Sequence, residues 1–94
     1  MPAACRLGDM SAGHCFTARP NDQGSPNVFI NGIAAHRLSD HWITHCCGIV
    51  CHDGVLAQGS PNVFVNGLAQ GRIGDAISCG DTIAQGSPNV FVNG

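Results

Sequence analysis

The chain has 94 residues, a formal net charge of −2, 44% apolar residues, 13 glycines and 5 prolines. That is one domain's length, its glycine and proline disfavour helix, and no stretch approaches the roughly 20 apolar residues a membrane-spanning helix needs. With no lysine and only Arg6, Arg19, Arg37 and Arg72 as fixed positive charges, it carries no basic patch, which excludes nucleic acid as a specific partner.

In chain order, Met1-Pro2-Ala3-Ala4-Cys5-Arg6 has no apolar run behind its charge and does not read as a secretory signal. The expectation is synthesis in the cytoplasm without a signal peptide and no stable membrane anchor. Arg6-Leu7-Gly8-Asp9 comes next and returns as Arg37-Leu38-Ser39-Asp40 and Arg72-Ile73-Gly74-Asp75. A second piece, Gly24-Ser25-Pro26-Asn27-Val28-Phe29-Ile30-Asn31-Gly32, returns at Gly59–Gly67 and Gly86–Gly94, where only Ile30 changes, to Val65 and Val92. From each Arg to the first Gly of the following block there are 18, 22 and 14 residues, so length varies only between two constant pieces, as loops do in repeat proteins.

The block has a mechanical reading. Val-Phe-Val is β-prone and its period of two turns Phe29, Phe64 and Phe91 to the face opposite their neighbours. Asn-Gly tolerates the positive φ of a type I′ hairpin turn, and Gly-Ser-Pro-Asn forms a turn before the strand. Ile33-Ala34-Ala35 and Leu68-Ala69-Gln70 are the expected return strands, whereas the third block is expected to lack one because nothing follows Gly94. Such a unit cannot bury its apolar face alone, so three copies are expected to share one core about a pseudo-threefold axis. The result is a narrow, tapering all-β domain over residues 1–94, with repeats at about 3–32, 34–67 and 69–94 and no extension domain.

Histidines and cysteines gather in the variable segments. His14 lies five residues after Asp9, His45 five after Asp40 and Cys79 four after Asp75, so pseudo-symmetry brings one ligand per unit to the axis. The longest insertion, Cys46-Cys47-Gly48-Ile49-Val50-Cys51-His52, offers a fourth. The expected site is one structural zinc held by His14, His45, His52 and Cys79, a closed nitrogen and sulfur shell with no vacant position. Cys47 or Cys51 is the alternative to His52, and Cys15 the alternative to His14. Metal is preferred over a disulfide framework because the chain carries no export signal. Cys5 and Cys46 read as small buried hydrophobes, His36 as a packed or surface residue, Trp42 as a core or interface anchor, and Asp40 or Asp53 as a carboxylate orienting a ligand imidazole. His41-Trp42-Ile43-Thr44-His45 lacks the glutamate and the helix of a zinc hydrolase, so no catalytic residue is assigned.

These motifs resemble those of PAAR-repeat proteins, the tips that cap the trimeric spike of type VI secretion systems and related contractile phage tails. The family signature stands in degenerate form as Ala3-Ala4-Cys5-Arg6, Ala34-Ala35-His36-Arg37 and Ala69-Gln70-Gly71-Arg72. Gly-Asp follows twice, and Ser39-Asp40 departs from it in the middle copy. The resemblance spans Ala3 to Gly94 and is most specific in the Gly-Ser-Pro-Asn-Val-x-x-Asn-Gly block. It implies a conical fold, a zinc held near the point by three histidines and one cysteine, and a broad base seated on a trimeric β-helical spike. One copy per trimer follows, with a structural role in piercing membranes and attaching effector proteins, and delivery outside the cell or into a target, or residence in a virion. The rival readings are a zinc-binding adaptor that docks onto varied monomeric partners and a metal-dependent hydrolase with an open metal site.

Overall fold

Each nine-residue block folds as its chemistry dictates. The computed structural model describes residues 1–13, 15 and 18–92, and among them there is no helix. The block serines, Ser25, Ser60 and Ser87, are buried, and each hydroxyl accepts the N–H groups of the residues two and three positions on, so the turn is closed by its own side chain. The strands β1 (Phe29–Ile30) and β2 (Ile33–Ala34) then pair antiparallel around Asn31 and Gly32 at φ 56° and 74°. Between them in type and position, Asn66 and Gly67 do the same at 53° and 78° for the second block. Both residues of each pair occupy the left-handed region that a type I′ turn demands. The intervening hairpin is longer: β3 (His41–Cys47) pairs with β4 (Val50–Val55). The second block supplies β5 (Phe64–Val65) and β6 (Leu68–Ala69), in the register Phe64↔Ala69 that matches Phe29↔Ala34.

The third block does have a pairing partner, contrary to the sequence expectation. Ala3 bridges Phe91 as Ala34 bridges Phe29, with Ala4 N–H donating to Val90 O at 3.0 Å and Val92 N–H to Pro2 O at 2.9 Å. The beginning of the chain serves as the return strand of its end. Closing the ring in this way satisfies backbone groups that an open strand edge would leave unpaired.

The closure creates threefold rings of hydrogen bonds. Cys5 N–H donates to Gly71 O at 2.9 Å, Gly71 to His36 O at 2.9 Å, and His36 to Cys5 O at 3.1 Å. A wider ring runs from Leu7 N–H to Ala34 O, Leu38 to Ala69 O, and Ile73 to Ala3 O at 2.8, 2.8 and 3.0 Å. Close approach at the axis explains Gly71, where a Cβ would lie 2.8 Å from the Leu56 side chain. The repeated arginines stitch neighbouring units together. Each pairs with the aspartate three residues on (Arg6–Asp9, Arg37–Asp40, Arg72–Asp75) and reaches the carbonyl of Gly86, Gly24 or Gly59 in the flanking block. Arg6 and Arg37 also donate to the turn residues Asn31 and Asn66 of the next block.

Apolar mass sits elsewhere. The core cluster is Cys5, Trp42, Leu56, Ile77 and Ile83, with Cys79 packed against it, and so comes mostly from the variable segments. The blocks contribute Val65 and Val92 but turn Phe29, Phe64 and Phe91 outward. The repeats therefore share a hydrogen-bonded axis more than a hydrophobic core, because alanine, glycine and serine leave little apolar surface to bury. Strand β3 leaves this ring immediately after Asp40, and its seven residues carry Cys47 about 20 Å from His41. The molecule measures 37 × 24 × 21 Å.

Candidate metal centre

The long hairpin sets two imidazoles face to face. His45 and His52 are cross-strand partners, with ring centroids 4.6 Å apart and Nε2 atoms separated by 2.7 Å. In a regular strand Trp42 and His45, three residues apart, would face opposite ways. The irregularity between them resets the alternation, so both are buried on the inner side. Trp42 thus fills the core and His45 heads the cluster from the same strand.

Cys79 arrives from the third unit. Its turn is closed by the Ile77 N–H to Asp81 O bond at 2.9 Å and by Gly80 at φ 97°, and it is fastened to β4 where Ser78 N–H meets Val55 O at 2.9 Å. Gly54 admits the turn: a Cβ there would lie 3.0 Å from Ser78 Oγ and 3.3 Å from Cys79 Cβ. His52-Asp53-Gly54 is consequently part of a strand and not a solvated turn. One ligand atom from each of His45, His52 and Cys79 falls within 4.8 Å of the others, a group able to hold a metal ion. A tetrahedral ion with bonds of about 2.0–2.3 Å separates its ligand atoms by about 3.3–3.8 Å, a spacing between the 2.7 Å of the two Nε2 atoms and the 4.8 Å within which the whole cluster falls. The donor set of two nitrogens and one sulfur fits zinc.

His14 lies outside the described residues. Its neighbours are anchored on either side. Gly13 N–H donates to both carboxylate oxygens of buried Asp81, at 3.0 and 3.1 Å, and Cys15 is disulfide-bonded to Cys47 in β3. Asp81, which sequence reasoning passed over, therefore joins the segment leading to His14 to the turn that carries Cys79. Nothing in the pattern marks it except its place two residues after the cysteine.

The cysteines correct the preference for metal over disulfides, since two disulfides stand beside the candidate metal cluster. Cys15 pairs with Cys47, and Cys46 pairs with its cross-strand partner Cys51. Cys46 is exposed, not a buried hydrophobe, because the alternation that turns His45 inward turns its neighbour out. As paired sulfurs, Cys15, Cys47 and Cys51 offer no thiolate, which leaves Cys79 and fully buried Cys5 as the free thiols. Burial pushes the Cys5 thiol up, so it stays protonated in the core.

The remaining histidines have other partners. His36 is fully buried, its Nδ1 2.8 Å from Gln23 O and its ring edge-on to Trp42; burial lowers its proton affinity. His41 sits between two carboxylates, Nε2 2.8 Å from Asp53 and Nδ1 2.7 Å from Asp22, and both hydrogen bonds raise its pKa. Asp40 and Asp53, expected to orient a ligand, are instead engaged by Arg37 and His41, neither of which belongs to the cluster.

An all-β ring of three equivalent units, extended by a hairpin that carries a His/Cys cluster, defines the class of protein. A family model described as PAAR motif matches residues 18–85 and 54–94, and the chain belongs to that family. No curated protein matches it.

Proposed function

We propose that this protein is the tip of a trimeric β-helical spike in a contractile injection machine, capping the shaft with its ring and presenting the long hairpin as the point. The role is structural, without catalysis. The observation that carries the reading is the equivalence of the three outward phenylalanines: Phe29 and Phe64 are each 59% exposed and Phe91 51%. Such rings are costly to leave in water and ordinarily mark a contact surface. Related by a threefold axis, they suit a homotrimer, each of whose protomers meets one copy of the same apolar feature. Leu7 and Ile73, at equivalent positions in two units, are each 41% exposed and extend the pattern.

In this reading one zinc, held by His14, His45, His52 and Cys79, pins three variable segments where little apolar mass supports them. A closed shell of four protein ligands supplies rigidity and leaves no position for substrate. The protein is made in the cytoplasm, carried outward on the spike, and serves as an attachment point for effector proteins.

Mixing the chain with a candidate spike trimer and measuring the mass of the complex tests the docking. One chain per trimer is expected, with binding weakened at least tenfold by the Phe29→Ser/Phe64→Ser/Phe91→Ser variant; three chains per trimer, or binding to a monomer, would overturn it. Metal analysis tests the centre. One zinc per chain is expected, and chelation or Cys79→Ala should lower stability by several kcal/mol. Zinc-free protein that melts unchanged after chelation would rule out the pinned point.

A further inference from the structure

Four cysteines crowd the end of the long hairpin, and their placement relative to the histidines is systematic. His14 precedes Cys15, His45 precedes Cys46, and His52 follows Cys51. Each histidine assigned to the metal is therefore the chain neighbour of a disulfide-bonded cysteine, whereas the cysteine assigned to the metal, Cys79, is left free. The two disulfides divide the work. Cys46–Cys51 ties β3 to β4 one position beyond the His45↔His52 pair, with Cα atoms 4.0 Å apart. Cys15–Cys47 joins the segment after His14 to β3, across 32 residues of sequence.

We infer that these disulfides form an oxidisable clasp that locks the metal centre: closing them fixes the strand pair on which His45 and His52 stand and fastens Cys15, the chain neighbour of His14, to β3. The inference rests on the metal reading above and adds its regulation. With thiols reduced, the hairpin end loses both covalent ties beside the cluster and keeps its strand pairing, and Cys15 is no longer fastened to β3. With both bonds formed, an imidazole that lets go of the ion stays within reach and rebinds, so release slows. The same coupling runs in reverse, and a bound ion holds the thiols in register and favours oxidation.

The chemistry balances. Each pair of thiols becomes one disulfide by giving two electrons and two protons to a protein or small-molecule disulfide, which leaves as two thiols. Cys46 and Cys51 are both exposed and reachable by such an oxidant. A reducing compartment keeps the clasp open, and transfer to an oxidising one closes it. The device therefore suits a part assembled in one compartment and used in another.

The test compares zinc-loaded full-length chain in two states, one treated with oxidised glutathione and one with a phosphine reductant. Free thiols are counted by alkylation and mass spectrometry, and zinc release to a coloured chelator is followed in time. Release at least tenfold slower from the oxidised state is expected. The Cys15→Ala/Cys47→Ala variant should release at close to the reduced rate whatever the oxidant. Cys46→Ala/Cys51→Ala should lose less of the effect, because strand pairing already holds those two positions together. Equal release rates within twofold, faster release from the oxidised state, or thiols that stay free under oxidant would overturn the clasp while leaving the metal centre standing. Absence of zinc in both states would bring down the metal reading and the clasp with it.

Discussion

The ring and the hairpin end solve the same problem, stability in a narrow body, by opposite means. In the ring nearly every contact occurs in triplicate. An arginine pairs with an aspartate three residues on, a serine closes its own turn, and an amide at the axis donates to the next unit. Side chains there are small, so hydrogen bonds and ion pairs replace apolar burial. The hairpin end has no such repetition. Its strands, two disulfides and ligand cluster each occur once, and they stand beyond the core cluster that Trp42, Leu56, Ile77 and Ile83 build at the hairpin's root. Repetition spreads load over many weak, equivalent contacts, while the unrepeated part relies on a few strong ones. The difference teaches where damage is tolerated.

The largest effect belongs to the joint between the two regions. Trp42→Ala empties a site packed by Leu56, Ile77 and Cys5 and should cost about 3–5 kcal/mol in denaturant unfolding. Because β3 also carries His45, the same variant should bind zinc more weakly, and a loss of stability without a loss of zinc affinity would separate the regions more sharply than the structure suggests. Within the ring, Arg72→Ala leaves the Asp75 carboxylate without its partner in a pair whose side chains are 8% and 4% exposed. A cost of about 3 kcal/mol is expected. The matching Arg6→Ala should cost less, since that pair is 15% and 9% exposed. A loss below about 1 kcal/mol for Arg72→Ala would show that ring redundancy outweighs the individual pair.

The smallest effect has the opposite sign. Ser39 stands where the other two units have Gly8 and Gly74, and all three share the left-handed region, at φ 75°, 86° and 92°. A side chain there is strained, so Ser39→Gly should stabilise by about 0.5–1 kcal/mol after the added freedom of the unfolded glycine is counted. Thermal unfolding reads this directly as a rise in midpoint, and a fall would mean that the Ser39 side chain contributes a contact worth more than its strain.

Much of this was legible in the residues alone. Near-identity of the three blocks, with Asn-Gly after each Val-Phe-Val or Val-Phe-Ile, settled the first two hairpins, their turns and the placing of Phe29, Phe64 and Phe91 on the face opposite their neighbours, because those features depend on local backbone preference and a period of two. That this face is the exposed one came from the structure. Nearly equal offsets from Asp9, Asp40 and Asp75, of five, five and four residues, pointed to a shared ligand site. The gathering of His45, His52 and Cys79 nonetheless needed the bulge between Trp42 and His45, a shift in register that no residue type announces. Tertiary structure alone decided three further matters. Ala3 became the partner of Phe91, since only ring closure brings them together. The cysteines divided between core, cluster and disulfides, since pairing depends on distance in space and not on spacing in the chain. The arginines turned from scattered charges into stitches between units, since each one's second partner comes from a block that only the closed fold sets beside it.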